Sequence, residues 1–143
     1  MNDVLNQTTV ELCSFLSGKL SELNEDWWER NVINRLSFQQ QRIAEQRGFK
    51  TVEDLDLAAL LRVLDQNWHD ISYSADLPHE GRSWLKELQT VRNKWSHRSS
   101  SELQAVPASE VYRDADTLGL LLGMIKASQH AIDAVEKENS ANS

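Results

Sequence analysis

Apolar residues recur along most of this chain three and four positions apart, with polar residues between them, which is the spacing of amphipathic helices. Segments of this kind cover residues 3–23, 27–47, 54–68 and 80–95, and a last one begins near residue 109. No segment reads as a convincing strand. The pattern therefore predicts an all-α protein, an antiparallel helical bundle of about five helices with short connections.

Several short signals locate the predicted helix ends. Gly48 follows the second segment in the position of a helix-ending glycine, and Thr51 with Asp54 forms a loose capping box before the third. Residues 69–79 contain Pro78 and little periodicity, so they predict a loop with at most a short turn of helix. In the last segment, Gly119 and Gly123 form a G-x-x-x-G pattern, which predicts close helix packing.

Size and composition suit one compact domain. The chain has 143 residues, 40% of them hydrophobic, including five tryptophans, so it can bury a substantial core. Residues 84, 88, 91 and 95, all apolar, give the fourth helix a narrow buried stripe. We predict a single domain over residues 1–136 and a polar, frayed tail over residues 137–143.

Cysteine usage and hydropathy indicate the cellular setting. Cys13 is the only cysteine, so neither an intramolecular disulfide nor a cysteine-based zinc site can form, and its apolar neighbours predict a small core or interface residue and not a reactive thiol. No apolar run reaches the roughly 18 residues of a membrane span, and the N-terminus lacks the basic start of a signal peptide. The chain is therefore predicted to be cytoplasmic, with no membrane association.

Charge is distributed unevenly along the sequence. The formal net charge is −7, yet residues 82–98 hold five cations and one anion, a net of +4 that leaves −11 on the rest. Such a local basic patch can attract a polyanion even on an acidic protein. The candidate RNA-binding residues in it are Arg82, Lys86, Lys94 and Arg98.

The same patch contains the strongest catalytic candidates, Arg92, Asn93 and His97. Arginine can hold a phosphate bidentately, and histidine can move protons near neutral pH. Together they could cleave RNA without a metal ion, with Asn93 binding the ribose or orienting His97 from one turn earlier. The four histidines lack metal-ligand spacing, and no cofactor motif is present, so we predict neither metal nor cofactor.

The spacing of this motif is weak by itself, because short patterns arise often by chance. Residues five apart on an ideal helix also point about 140° from each other. Arg92 and His97 of one chain would converge only if the helix ended between them, or if a second copy supplied the missing partner across a two-fold axis.

The segment Arg-Asn-Lys-Trp-Ser-His, residues 92–97, resembles the signature of the HEPN superfamily. More narrowly, the chain resembles the Swt-type HEPN domain, through this segment together with residues 27–29, 54–64 and 67–68. The resemblance implies an all-helical homodimer whose active site is built by both protomers, with Arg92 and His97 catalytic and Asn93 auxiliary. It also implies a setting in phage defence, toxin–antitoxin or RNA-processing systems.

Two hypotheses follow. The first is a metal-independent HEPN endoribonuclease that cleaves single-stranded RNA, with an antitoxin or a larger complex as its protein partner. The alternative is a non-catalytic HEPN module that dimerises and binds protein or RNA, as the terminal domain of a larger defence ATPase. Intact Arg92, Asn93 and His97 favour the first hypothesis, and the acidic remainder of the chain favours the second.

Overall fold

A computed structural model describes the backbone over residues 2–97 and 106–141, and side chains at residue 3 and over 5–94 and 106–126. The all-α prediction is confirmed, since the described residues contain no strand. They form six α-helices rather than about five: α1 (Asn2–Ser21), α2 (Phe38–Arg47), α3 (Leu57–Gln66), α4 (Trp68–Ala75), α5 (Gly81–His97) and α6 (Ala108–Ala141).

Four of these helices enclose the core. Helix α1 packs against α3 and α6, and α5 packs against the same two helices from the other side. These four helices supply most of the largest fully buried side chains, and Ile71 of α4 joins them; the positions are 12, 15, 16, 20, 60, 61, 64, 71, 85, 88, 118 and 121. Over the described residues, no helix is both long enough and apolar enough to cross a bilayer. The helix α6 backbone continues to Ala141, through most of the polar segment predicted to fray.

Cys13 belongs to this core, as predicted. It is 8% exposed, and its thiol lies 3.6 Å from the carbonyl oxygen of Val52. Burial, and secondly the negative charge of Glu53, raises the pKa of the Cys13 thiol above its ordinary value. The thiol is therefore a packing group with little thiolate character.

The prediction of one continuous helix over residues 27–47 is wrong. The segment begins as a π-helical turn, Trp28–Val32, continues as a 3-10 turn, Ile33–Arg35, and breaks where Leu36 is extended. Helix α2 then starts afresh, because Ser37 caps it: the Gln40 backbone N–H donates to Ser37 Oγ, and the Ser37 N–H donates to Gln40 Oε1. This Ser-x-x-Gln box is the sequence signal that marks the break. Gly48 ends α2 at φ 66°, as predicted.

The predicted third helix, residues 54–68, and the loop after it also differ from the structure. The Thr51–Asp54 capping box closes a 3-10 turn, Val52–Asp54. Helix α3 begins three residues after that turn, at Leu57, and is capped by Asp56, whose Oδ1 accepts from the Ala59 N–H. Residues predicted as a loop form helix α4, which ends at Asp76 in a left-handed conformation with φ 53°. A helix eight residues long carries too few apolar positions to show a clear period.

Buried asparagines tie the irregular segment to α3. Asn31 and Asn67 are 4% and 2% exposed. Asn31 Nδ2 donates to Asn67 Oδ1, and Asn67 Nδ2 donates to the carbonyl oxygens of Asn31 and Val63. Because buried polar groups without partners are costly, this paired network fixes where residues 28–35 lie against the bundle.

Helix α5 buries Leu88 and Val91, as predicted, while Trp84 is only partly buried and the Trp95 side chain lies outside the described residues. The predicted packing of the G-x-x-x-G pattern is wrong within the described chain. Gly119 and Gly123 are exposed, and outside the adjoining helix backbone no described atom lies within 4 Å of where a Cβ would be. The pattern thus lies on the outer face of α6.

Gly81, the first residue of α5, is packed so closely that adding a side chain there should lower stability. A Cβ at Gly81 would lie 2.4 Å from Met124 Sδ and 2.7 Å from Trp68 Cη2, and the tryptophan ring cannot yield easily. We expect Gly81→Ala to lower the free energy of unfolding by about 1–3 kcal/mol, as overpacking does. The matched control is Gly18→Ala in α1, where no described atom lies within 4 Å. There alanine should stabilise by about 0.5–1 kcal/mol. Urea unfolding of both variants checks the opposite signs.

Candidate functional site

Arg92 lies where α5 passes the N-terminus of α3. Its Nη2 is 3.6 Å from Oδ2 of Asp56, the residue that caps α3, and its Nη1 donates to Asn93 Oδ1 at 3.2 Å. The Arg92 side chain is 23% exposed and that of Asp56 is 66% exposed. The guanidinium is thus at the surface, held by one carboxylate and one amide oxygen. An incoming phosphate would take the place of the Asp56 carboxylate.

His97 is the last residue of α5, so the helix does not end between Arg92 and His97. Along a continuous helix, residues five apart point about 140° from each other. One chain therefore does not bring these two positions together on one face. The side chain of His97, and with it the predicted contact to Asn93, lies outside the described residues, as does the whole of Arg98.

Lys94 faces away from this surface, toward α6. Its Nζ lies 2.6 Å from Glu110 Oε1 and also contacts Asp114 Oδ2, and the Lys94 side chain is only 17% exposed. Burial opposes the charged form of Lys94, but hydrogen bonds and charges of Asp114 and Glu110 outweigh it and raise the pKa of Lys94. Lys94 thus joins α5 to α6, and this position sets it apart from Arg82 and Lys86.

Arg82 and Lys86 are both exposed on α5. Arg82 Nε lies 3.3 Å from Asp65 Oδ1 in α3, with half of the arginine side chain accessible. Arg82, Lys86, Gln89 and Asn93 recur four, three and four residues apart, so they share one face of α5. This polar stripe leads along the helix toward Arg92.

A polar groove of about 290 Å³ adjoins that stripe. It lies between the starts of α2 and α3 and the middle of α5, and it is lined by Ser37, Gln40, Ala58, Arg62, Gln89 and Asn93. Arg62 Nε donates to the carbonyl oxygen of Arg35 at 2.9 Å, which anchors the guanidinium in the wall. Because Asn93 also accepts from Arg92, the groove begins next to the Arg92 guanidinium.

Sequence reasoning missed three residues of this surface: Asp56, Arg62 and Gln89. Asp56 and Arg62 belong to α3, which meets the signature only in the folded chain, whereas Gln89 lies on α5 itself, one turn before Asn93. The capping pattern at Asp56 and the helical spacing of Gln89 from Asn93 were visible signals, but nothing in the sequence places Arg62 beside them. Among the described side chains, no group of three or more His, Cys, Asp or Glu residues could hold a metal ion.

Comparison with known proteins gives one family match. The model of the Swt1-like HEPN family matches residues 4–126, a range that includes every residue of the candidate site. No curated protein and no solved structure matches the chain.

Proposed function

Because the chain belongs to the Swt1-like HEPN family, we propose that it is a metal-independent endoribonuclease that cleaves single-stranded RNA. The observation that carries the proposal is the position of Arg92, whose side chain is 23% exposed and whose guanidinium, among the described residues, contacts one carboxylate and one amide oxygen, acceptors that a phosphate can replace. Asn93 and His97 complete the signature at the end of the same helix. The setting we propose, a phage-defence, toxin or RNA-processing system with an antitoxin or larger complex as partner, rests on the family alone.

In the proposed reaction, the ribose 2′-oxygen attacks the adjacent phosphorus while the bond from phosphorus to the 5′-oxygen breaks. His97 takes the proton from the 2′-hydroxyl or gives one to the departing 5′-oxygen, and solvent water carries out the other of these two proton transfers. Arg92 neutralises the charge that builds on the non-bridging oxygens. The products are a 2′,3′-cyclic phosphate and a 5′-hydroxyl, and no electron transfer or metal is needed.

We propose that the working site is formed by a two-fold homodimer. Arg92 and His97 diverge along one continuous helix, so the Arg92 of each chain would meet the His97 of the other. We propose that α5 and α6, or the ends that flank them, supply the contact near the end of α5 that carries the signature.

The test is an RNA cleavage assay with the purified protein in EDTA. We expect single-stranded RNA to be cut into fragments that carry 2′,3′-cyclic phosphate ends, while DNA of the same sequence stays intact because it lacks the attacking hydroxyl. Cleavage that appears only when divalent cations are added, or that proceeds equally on DNA, would contradict the mechanism.

A non-catalytic HEPN module that dimerises and binds protein or RNA is the second candidate. The observation in its favour is that Arg92 and Lys94, two cations of the signature, already contact acidic side chains of their own chain. A protein that forms dimers and binds a partner, but leaves RNA intact in every condition, would establish this function instead.

A further inference from the structure

The polar groove beside Arg92 differs in chemistry from a phosphate site. Its lining consists of three side-chain amides, one hydroxyl, one methyl group and a single guanidinium. Phosphate sites are lined by several cations or by clustered backbone N–H groups. Amides instead offer a donor and an acceptor side by side, which matches the hydrogen-bonding edge of a nucleobase.

The hydrogen bonds within the groove leave part of this lining available. Gln40 Oε1 accepts a hydrogen bond from the Ser37 N–H, and this bond fixes the position of the Gln40 side-chain amide. Asn93 uses its Oδ1 to accept from Arg92. No hydrogen bond joins the Gln89 amide to another described side chain. Gln89 thus stands in the α5 wall with both its donor and its acceptor open to a ligand.

Arg62 adds a flat surface to the opposite wall. Its Nε bond to the Arg35 carbonyl, and the bond from Arg35 Nη1 to the Gln66 carbonyl at 2.9 Å, anchor both arginines to the backbone. An anchored guanidinium plane is one of the surfaces on which unpaired RNA bases stack. The groove volume of about 290 Å³ is near the lower end of the roughly 300–1,000 Å³ of small-molecule sites, so it suits a single base.

We infer that this groove binds one base of the RNA, the base next to the phosphate held by Arg92, through hydrogen bonds to Gln89 and stacking on Arg62. The inference rests on the proposed function and names a subsite of it. Arg82 and Lys86, on the same face of α5, would then contact the phosphates that lead away from that base. The groove thereby gives the enzyme a base preference that backbone contacts cannot supply.

The experiment measures binding of the wild-type chain and its variants to short single-stranded RNAs of A, C, G or U. Their 2′-oxygens carry methyl groups, so they cannot be cleaved. We expect Gln89→Ala to weaken binding to the preferred base about 5- to 10-fold, as the loss of a neutral hydrogen bond does, and to reduce the differences among bases. Gln89→Met, which keeps the side-chain length, should show the same loss. The control is Gln46→Ala, an exposed glutamine of α2 that does not line this groove, and it should bind like wild type.

The possible outcomes distinguish a failure of the groove assignment from a failure of the proposed ribonuclease function. If wild type binds RNA but both Gln89 variants match it for all four bases, the groove is not a base site and the proposed ribonuclease function still stands. If wild type binds none of the RNAs and also fails to cleave RNA, both the groove assignment and the proposed function fall. Circular dichroism of each variant ensures that a loss of binding reflects the missing amide and not unfolding.

Discussion

Replacing His97 by alanine is expected to lower the rate of RNA cleavage by about 10²–10⁴-fold, the usual contribution of a general acid or base. Alanine is the best helix former, so the end of α5 should keep its helix, and the circular dichroism spectrum should match wild type. Single-turnover cleavage with excess protein measures the loss without interference from product release. A His97→Ala variant that retains the wild-type rate would show that His97 does not transfer the proton.

Arg92→Ala should reduce cleavage by about 10²–10³-fold and also weaken RNA binding, because the guanidinium contacts phosphate in both the ground state and the transition state. The matched control is Arg113→Ala in α6, which removes an exposed arginine that is paired with Glu87 and is not part of the signature. Arg113→Ala should leave cleavage unchanged. Equal losses in both variants would mean that general positive charge, and not the position of Arg92, supports the activity.

Removing the charge of Asp56, the partner of Arg92, is expected to have the opposite effect on RNA binding from Arg92→Ala. Asp56→Asn keeps the cap of α3, because asparagine caps helices as well as aspartate does, but it removes the charge that opposes phosphate at Arg92. We expect RNA affinity to rise about two- to five-fold, the scale of an exposed ion pair.

Sedimentation of the Arg92, His97 and Asp56 variants should give the same dimer as wild type. A monomeric wild-type protein that still cleaves RNA would contradict the two-chain site.

The fold could be predicted where the evidence is local to the chain. Helical spacing identified α1, α5 and α6, and Gly48 marked the end of α2, because each of these signals depends on neighbouring residues. The break at Ser37 had a local signal that the apolar spacing on either side concealed. Helix α4 is too short to show a period, so its formation depends on Trp68 and Ile71 packing into the bundle.

The site could be predicted only in part, because its decisive contacts are distant in sequence. The signature identified Arg92 and Asn93, but the carboxylate that holds Arg92 lies 36 residues earlier. Counting charges along the sequence cannot distinguish the cations of residues 82–98 that face solvent from those that pair with acidic side chains. In the folded chain, Arg82 and Lys86 face solvent while Lys94 is paired with two acids of α6, and this difference depends on tertiary packing alone.

Lys94→Ala is therefore expected to affect stability far more than RNA binding. Removing the ammonium takes one charged hydrogen-bond donor from the Asp114 carboxylate, which is 5% exposed, and the loss of a hydrogen bond to a charged group costs about 1.5–3 kcal/mol. Lys86→Ala on the exposed face of the same helix should change stability by less than about 0.5 kcal/mol. Urea unfolding of the two variants at neutral pH measures the contrast. A Lys94→Ala variant with wild-type stability but weakened RNA binding would place Lys94 at the RNA.

The pH dependence of stability provides a second check on Lys94. Because the pKa of Lys94 is raised in the folded chain, its contribution to stability is fully present below the unfolded pKa of about 10.4 and is lost as the pH rises through the folded value. The difference in unfolding free energy between wild type and Lys94→Ala should therefore be constant from neutral pH to about pH 10 and shrink above it. Lys86→Ala should show no such change, since no ion pair joins Lys86 to another described residue. A gap that stays constant into strong alkali would show that the ammonium charge does not stabilise the contact between α5 and α6.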